Sequence, residues 1–330
     1  QIAQSGLGRV EAYEIGNEPN MNWQWQGQPP DPADYVAVLQ TAYTAIKSVD
    51  PNAIVVSAGL GPVGRIKNKN GQPCIGNSGN AYNGNNCSAM DEREYAREMF
   101  ARGAGAYMDA FSYHPQGFPY PPEWALDQLP PDDNGNGFAF RGAEVMHAIM
   151  QDYGLGDKPI WATEVGWLRN PAEDPSYGDH IPSLCNSIPD FRNAYGWMVV
   201  SEIQQANYIT RAFAYADANW PWMGVMFVWN LDWHNQGWLC DSIRYFSVRK
   251  DDNTETGLTS LAYEALRNMP RRSAWTAPSM QVSPDRLSFL GALEAPRTLT
   301  ATVSINAGWS APSTAAPSTA APSTAAPSTA

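Results

Sequence analysis

The chain has 330 residues, with 21 Lys+Arg against 33 Asp+Glu and a formal net charge of -12. That is enough for one large domain or two, and the acidic balance works against a nucleic acid as partner. No stretch approaches the roughly 18 uninterrupted apolar residues of a membrane span, since the aromatic-rich run from Trp220 to Trp233 is broken by Pro221, Gly224, Asn230 and Asp232.

From Gln1 to Met269 short apolar runs alternate with amphipathic segments, the pattern of repeated βα units on a parallel sheet. Gln1 to Gly8 reads as a helix tail feeding a strand at Val10–Ile15, and further strands are expected at Ile54–Ala58, Ala110–Tyr113, Ile160–Thr163 and Val225–Trp229. Pro32–Val49 reads as a helix: Asp31 can cap it, Pro32 suits its first turn, and Tyr35, Val38, Leu39, Ala42 and Ile46 recur at helical spacing. Helices are likewise expected at Asp91–Ala101, Phe138–Tyr153, Ser201–Asn219 and Ser260–Arg267. Five strands cannot close an eight-stranded barrel. The expected fold is α/β of the (β/α)8 TIM-barrel type, holding strands 4–8 and lacking the first three βα units, which an upstream segment or a second chain would complete.

Beyond Met269 the composition changes to Pro, Arg, Ser and Thr, so residues 271–280 read as a linker. Val282–Phe289 and Thr298–Ile305 look like strands at sandwich spacing, which makes residues 281–309 the truncated start of an immunoglobulin-like or BACON-like β-sandwich. Residues 310–330 repeat Ala-Pro-Ser-Thr, a tail with nothing to bury, expected to be disordered.

Thirteen tryptophans, several beside Asn, Gln and Gly, suggest flat apolar faces offered to sugar rings, with core packing as the plain reading of any one of them. The four cysteines contain no C-x-x-C pair, and Cys74 with Cys87 and Cys185 with Cys240 is the expected disulfide pairing. That implies an oxidising, secreted setting. No signal peptide is visible, and Gln1 is not an initiator Met, so the leader was removed or the chain begins late.

The sharpest local signal is Tyr13-Glu14-Ile15-Gly16-Asn17-Glu18-Pro19-Asn20, an apolar strand that ends in Asn-Glu-Pro and passes into a Trp-rich loop. Glu18 then stands at the carboxyl end of a parallel strand, the face where barrel enzymes keep their chemistry. Ile160-Trp161-Ala162-Thr163 repeats the arrangement, with Glu164 at its carboxyl end. An acid in such a place needs a cation, a hydrogen-bond donor or a catalytic task. Two carboxylates on two strands of one parallel sheet point into one mouth, as glycoside hydrolysis requires. The competing reading makes each a solvated loop acid.

Asn17-Glu18-Pro19 and Thr163-Glu164 resemble the strand-four and strand-seven signatures of clan A glycoside hydrolases, retaining barrel enzymes that include families 5 and 39. The resemblance continues in order through Ala45–Asn52, Val55–Leu60, Asp109–Pro115 and Phe227–Asn230. It implies that residues 1–270 are the C-terminal part of a catalytic domain hydrolysing β-linked carbohydrate by double displacement, without cofactor or metal. Glu18 would be the general acid/base and Glu164 the nucleophile, Asn17 would hold the sugar 2-hydroxyl, Trp229 would lie beneath the ring, and His114 would line the mouth. Relatives often read His-x-Tyr where His114 is followed here by Pro115 and Gln116, leaving Tyr113 or Tyr120 to face the nucleophile. Trp23, Trp25, Trp167 and Trp233 are candidates for neighbouring subsites or for loop packing. A non-catalytic carbohydrate-binding or cell-surface protein on a degenerate barrel is the other reading.

Two motifs point elsewhere. Gly59-Leu60-Gly61-Pro62-Val63-Gly64 matches a dinucleotide fingerprint but is followed by a loop where the phosphate-binding helix should start. Asp132–Gly137 begins like a calcium loop, yet its twelfth position is Ala143, so a plain turn is expected.

Overall fold

The computed structural model describes residues 2–64, 87–130, 137–170, 196–233, 242–250, 258–270, 279–283 and 302–306. The chain divides into two units, Gln1–Met269 and Pro270–Ala330. The first runs through α1 (Ile2–Gly6), β1 (Ala12–Ile15), α2 (Pro32–Val49), β2 (Ile54–Ser57), α3 (Glu92–Ala101), β3 (Phe111–Tyr113), α4 (Gly142–Asp152), β4 (Ile160–Val165), β5 (Leu168–Arg169) and β6 (Val199–Val200). It continues with α5 (Glu202–Asn219), β7 (Met223–Val228), β8 (Arg249–Lys250), β9 (Leu258–Thr259) and α6 (Leu261–Asn268).

β1 lies parallel to β2, with Glu14 opposite Val56. Bridges Val56–Ala110 and Leu60–Tyr113 join β2 to β3, β3 pairs parallel with β4, and β4 pairs parallel with β7. The order β1-β2-β3-β4-β7 is therefore all parallel, and among the described residues it does not close into a barrel. From α2 onward each helix follows a strand, the βα alternation that the sequence pattern implies.

Local chemistry explains the helices. Asp31 accepts from the Ala33 amide at 2.7 Å and caps α2 ahead of Pro32. Ser201 and Gln204 cap α5 reciprocally, the Ser hydroxyl accepting from the Gln204 amide and the Gln side chain from the Ser201 amide. The buried stripe of α2 carries Tyr35, Val36, Leu39 and Ile46, whereas Val38, expected there, is 51% exposed. The layer between helices and sheet is filled by Leu39, Val55, Met99, Phe111, Ile149, Ile160 and Ile209, each contributing roughly 1.5–3 kcal/mol of burial.

Two of the expected starts move inward for local reasons. β1 starts at Ala12 because Val10 still donates to Gly6 at 2.8 Å in the turn that ends α1. α4 starts at Gly142 because residues 137–141 are taken up by turns, with Ala139 donating to Gly137 and Gly142 to Ala139.

In the second unit β10 (Ser279–Ser283) and β11 (Thr302–Asn306) pair antiparallel, Ser279 opposite Asn306. The Ala-Pro-Ser-Thr tail and Asp132–Asn136 lie outside the described residues. Among the described residues no helix is long and apolar enough to cross a membrane. Cys87 is disulfide-bonded, while Cys74, Cys185 and Cys240 fall outside the described residues.

Candidate active site

The chain leaves β1 through Gly16 at φ 92° and reaches Glu18 at φ 43°, a left-handed backbone unusual for a residue with a Cβ. The Glu18 amide donates to Gly59 at 2.9 Å, and Met21 donates back to the Glu18 carbonyl at 2.9 Å, which fixes the turn. Asn20, fully buried, clamps Gly61 by donating to its carbonyl at 2.9 Å and accepting from its amide at 3.1 Å. Glu164 lies inside β4, which runs two residues beyond its expected end at Thr163. His114 follows β3 directly and is 1% exposed.

These elements converge. His114 Nδ1 lies 3.1 Å from Glu18 Oε1 and 3.6 Å from Glu164 Oε2. One atom from each of the three side chains falls within 4.8 Å of the other two. Both imidazole nitrogens are engaged, Nδ1 with Glu18 and Nε2 with Thr163 Oγ1 at 3.0 Å. Beneath them Glu14, itself exposed, accepts through Oε1 from the Gly59 amide at 3.0 Å and from the hydroxyls of Ser112 and Thr163, each at 2.9 Å.

The glycines of the false dinucleotide motif belong to this site. A Cβ on Gly59 would stand 2.0 Å from His114 Nε2, and one on Gly61 2.6 Å from Glu18 Oε1. Close approach of the His114 and Glu18 side chains explains both.

Burial is the largest influence on Glu164 and pushes its carboxyl up to about 7; Glu18 and Glu14 push the same way, and His114 opposes them. For His114 burial works downward, but the hydrogen bond to Glu18 and the charges of Glu164, Glu18 and Glu14 outweigh it and raise the imidazole.

No family model matches the sequence, and no curated protein matches it. Solved structures similar to the chain include an alpha-L-arabinofuranosidase from Thermotoga maritima, at 10% identity and TM-score 0.43, covering 77% of this chain and 38% of that one. A glucosidase from Croceicoccus marinus is similar at 16% identity and TM-score 0.45, covering 78% and 39%. A GH10 endoxylanase from a sugarcane soil metagenome is similar at 15% identity and TM-score 0.39, covering 80% and 63%. The chain spans less than two fifths of the length of the first two.

The remaining sequence candidates divide. Asn17 is exposed beside Glu18. Trp229, half-buried just past β7, donates its amide to Val165 at 2.9 Å, and its ring centroid is 5.5 Å from that of Trp233. Trp23 is 61% exposed, while Trp25 donates its indole N–H to the Pro19 carbonyl at 2.7 Å and packs on the core. Two expectations are corrected. Trp167 has no exposed surface, its indole N–H donates to the Tyr120 carbonyl at 2.9 Å, and it offers no face to a sugar. Tyr113 alternates away from the mouth because its neighbours Ser112 and His114 turn into it; its hydroxyl lies against Gly142 at the start of α4. Tyr120 stacks on Trp124 at 5.4 Å. Sequence reasoning missed Glu14, Ser112 and Asn20 as parts of the site. A carboxylate inside an otherwise apolar parallel strand was the available signal for the first.

Proposed function

We propose that the chain carries the acid pair of a retaining glycosidase, hydrolysing the O-glycosidic bond of a β-linked oligo- or polysaccharide. The observation that carries this reading is the approach of Glu18 and Glu164 to within 4.8 Å, oxygen to oxygen, at the carboxyl ends of two parallel strands. Retaining enzymes hold their carboxyls about 5–5.5 Å apart, whereas inverting enzymes leave about 6.5–9.5 Å for a water.

In the first step a Glu164 oxygen attacks the anomeric carbon, the C–O electron pair leaves with the aglycone oxygen, and that oxygen takes the proton of Glu18. In the second, Glu18 removes a proton from water, whose oxygen displaces Glu164 and restores both acids. Asn17 would hold the 2-hydroxyl, and Trp229 with Trp233 would supply the apolar platform. The proposal includes a secreted setting, for which the even cysteine count and the bonded state of Cys87 speak. It also includes an upstream segment or second chain pairing with β1 and β7, the end strands of the described order.

The test is a panel of aryl β-glycosides and plant polysaccharides with the wild type, Glu18→Ala and Glu164→Ala. Retained product configuration is expected, with a loss of about 10³-fold or more in each variant. With azide, Glu18→Ala should give the β-glycosyl azide and Glu164→Ala the α-azide. Turnover that survives Glu164→Ala, or an inverted first product, would overturn the assignment.

A further inference from the structure

The hydrogen bonds around His114 extend one layer deeper than the acid pair, to Ser112, Thr163 and Glu14. Glu14, as a carboxylate, only accepts, and its Oε1 lies 2.9 Å from Ser112 Oγ and 2.9 Å from Thr163 Oγ1. Each hydroxyl has one hydrogen to give. The two hydroxyls also lie 2.8 Å from one another, so three oxygen contacts share two hydrogens, and the charged carboxylate is the acceptor that draws both. The hydrogen of Thr163 therefore goes to Glu14, and the 3.0 Å contact between His114 Nε2 and Thr163 Oγ1 has to be made by a hydrogen on Nε2. The remaining nitrogen, Nδ1, is 3.1 Å from Glu18 Oε1, and that contact holds one hydrogen, on either side.

We propose that Glu14 is a positioning residue: acting through Thr163 it locks His114 with its hydrogen on Nε2, so that Nδ1 offers a lone pair that accepts from Glu18 and keeps on that carboxyl the proton it uses as general acid. The inference rests on that reading of Glu18. With the lock in place, a neutral ring presents a bare Nδ1 and accepts from protonated Glu18, the form ready to protonate a leaving oxygen. When Glu18 has given its proton to that oxygen, the oxygen–hydrogen bond of the carboxyl breaks and the carboxylate faces Nδ1. Without the lock the Thr163 hydroxyl is free to donate to Nε2, the ring moves its hydrogen to Nδ1, and Nδ1–H then favours ionised Glu18, which cannot act as an acid. The charged groups facing the ring are Glu14 from β1, Glu18 from the turn after it and Glu164 from β4.

The experiment labels histidine with 15N in the full chain, which has four histidines, and assigns His114 by its loss in His114→Gln. In the wild type the neutral ring should be protonated on Nε2 with Nδ1 as the titrating nitrogen. Glu14→Ala should shift the hydrogen to Nδ1, while Glu14→Gln, which keeps an acceptor oxygen, should retain the wild-type pattern. Thr163→Val removes the hydroxyl at the other end of the contact and should also lose the Nε2 preference, covering the case in which Glu14→Ala does not fold. In turnover, Glu14→Ala should lower kcat about 10-fold or more for poor leaving groups with little change in KM, and far less for activated ones that need no proton; Glu14→Gln should rescue it. A wild-type ring protonated on Nδ1, or an Nε2–H pattern untouched by both Glu14→Ala and Thr163→Val, overturns the inference. A wild type that turns over neither substrate class sinks the glycosidase reading, and the ring spectra still decide the lock.

Discussion

On the proposed mechanism Glu164 has to be ionised to attack, yet burial, with Glu18 and Glu14 behind it, holds its carboxyl up at about 7. The acidic limb of kcat/KM should accordingly rise through about pH 7, above the range of an ordinary carboxylate. Glu18→Gln removes the charge that Glu18 brings to bear on Glu164 and should move that limb to lower pH, read on an activated aryl glycoside that needs no general acid. An unshifted limb would mean that Glu18 does not act on Glu164. At this scale the sequence was partly legible. A lone Glu at the end of a buried strand advertises itself twice, at Glu18 and Glu164, because desolvated acids need a reason. Trp167 and Tyr113 deceived for the opposite cause: position next to a catalytic strand end says nothing about which way alternation turns a side chain. Glu14 was hidden because a Glu inside a four-residue strand reads as the solvent side of an ordinary alternating pattern.

Helix α3 begins on a second raised carboxyl. Glu92 is 2% exposed and accepts from the amides of Gly64 and Val63 at 2.8 Å and 2.9 Å; burial first, then Asp91, pushes it up to about 7, against the Gly64 amide and the charge of Arg93. Its folded value lies above the unfolded one, so its stabilising share is complete below about pH 4.5 and is lost as pH rises through 7. Glu92→Gln keeps an acceptor oxygen for both amides and cannot ionise. It should match the wild type at pH 5 and exceed it at pH 8 by about 2–3 kcal/mol in urea unfolding, and equal stabilities at pH 8 would refute this account. The helices themselves were legible from caps and spacing, Asp31 with Pro32 and Ser201 with Gln204 being local rules that tertiary packing did not override. Their edges were less so, since the turns at Gly6–Val10 and residues 137–141 use the same residues as the elements they precede. The two-residue ladder of β5 and β6 is too short to leave any periodic trace.

For the whole molecule, the net charge of -12 and the three acids gathered at one mouth bear on which sugars can approach. Chains carrying uronic acids should be turned over more slowly than neutral ones of the same linkage, and the gap should narrow several-fold between low and moderate salt as the repulsion is screened. A ratio indifferent to salt would remove charge from the explanation. The order of parallel strands follows from βα alternation and could be read in advance, as could a count of strands too small to close a barrel. One last consequence follows from the left-handed turn at Glu18. An L residue held there gives up about 1–2 kcal/mol that glycine would not, so the chain is more fragile for the sake of where it carries that acid. Breeding this protein for heat tolerance with no check on turnover would tend to discard the very carboxyl proposed as its general acid.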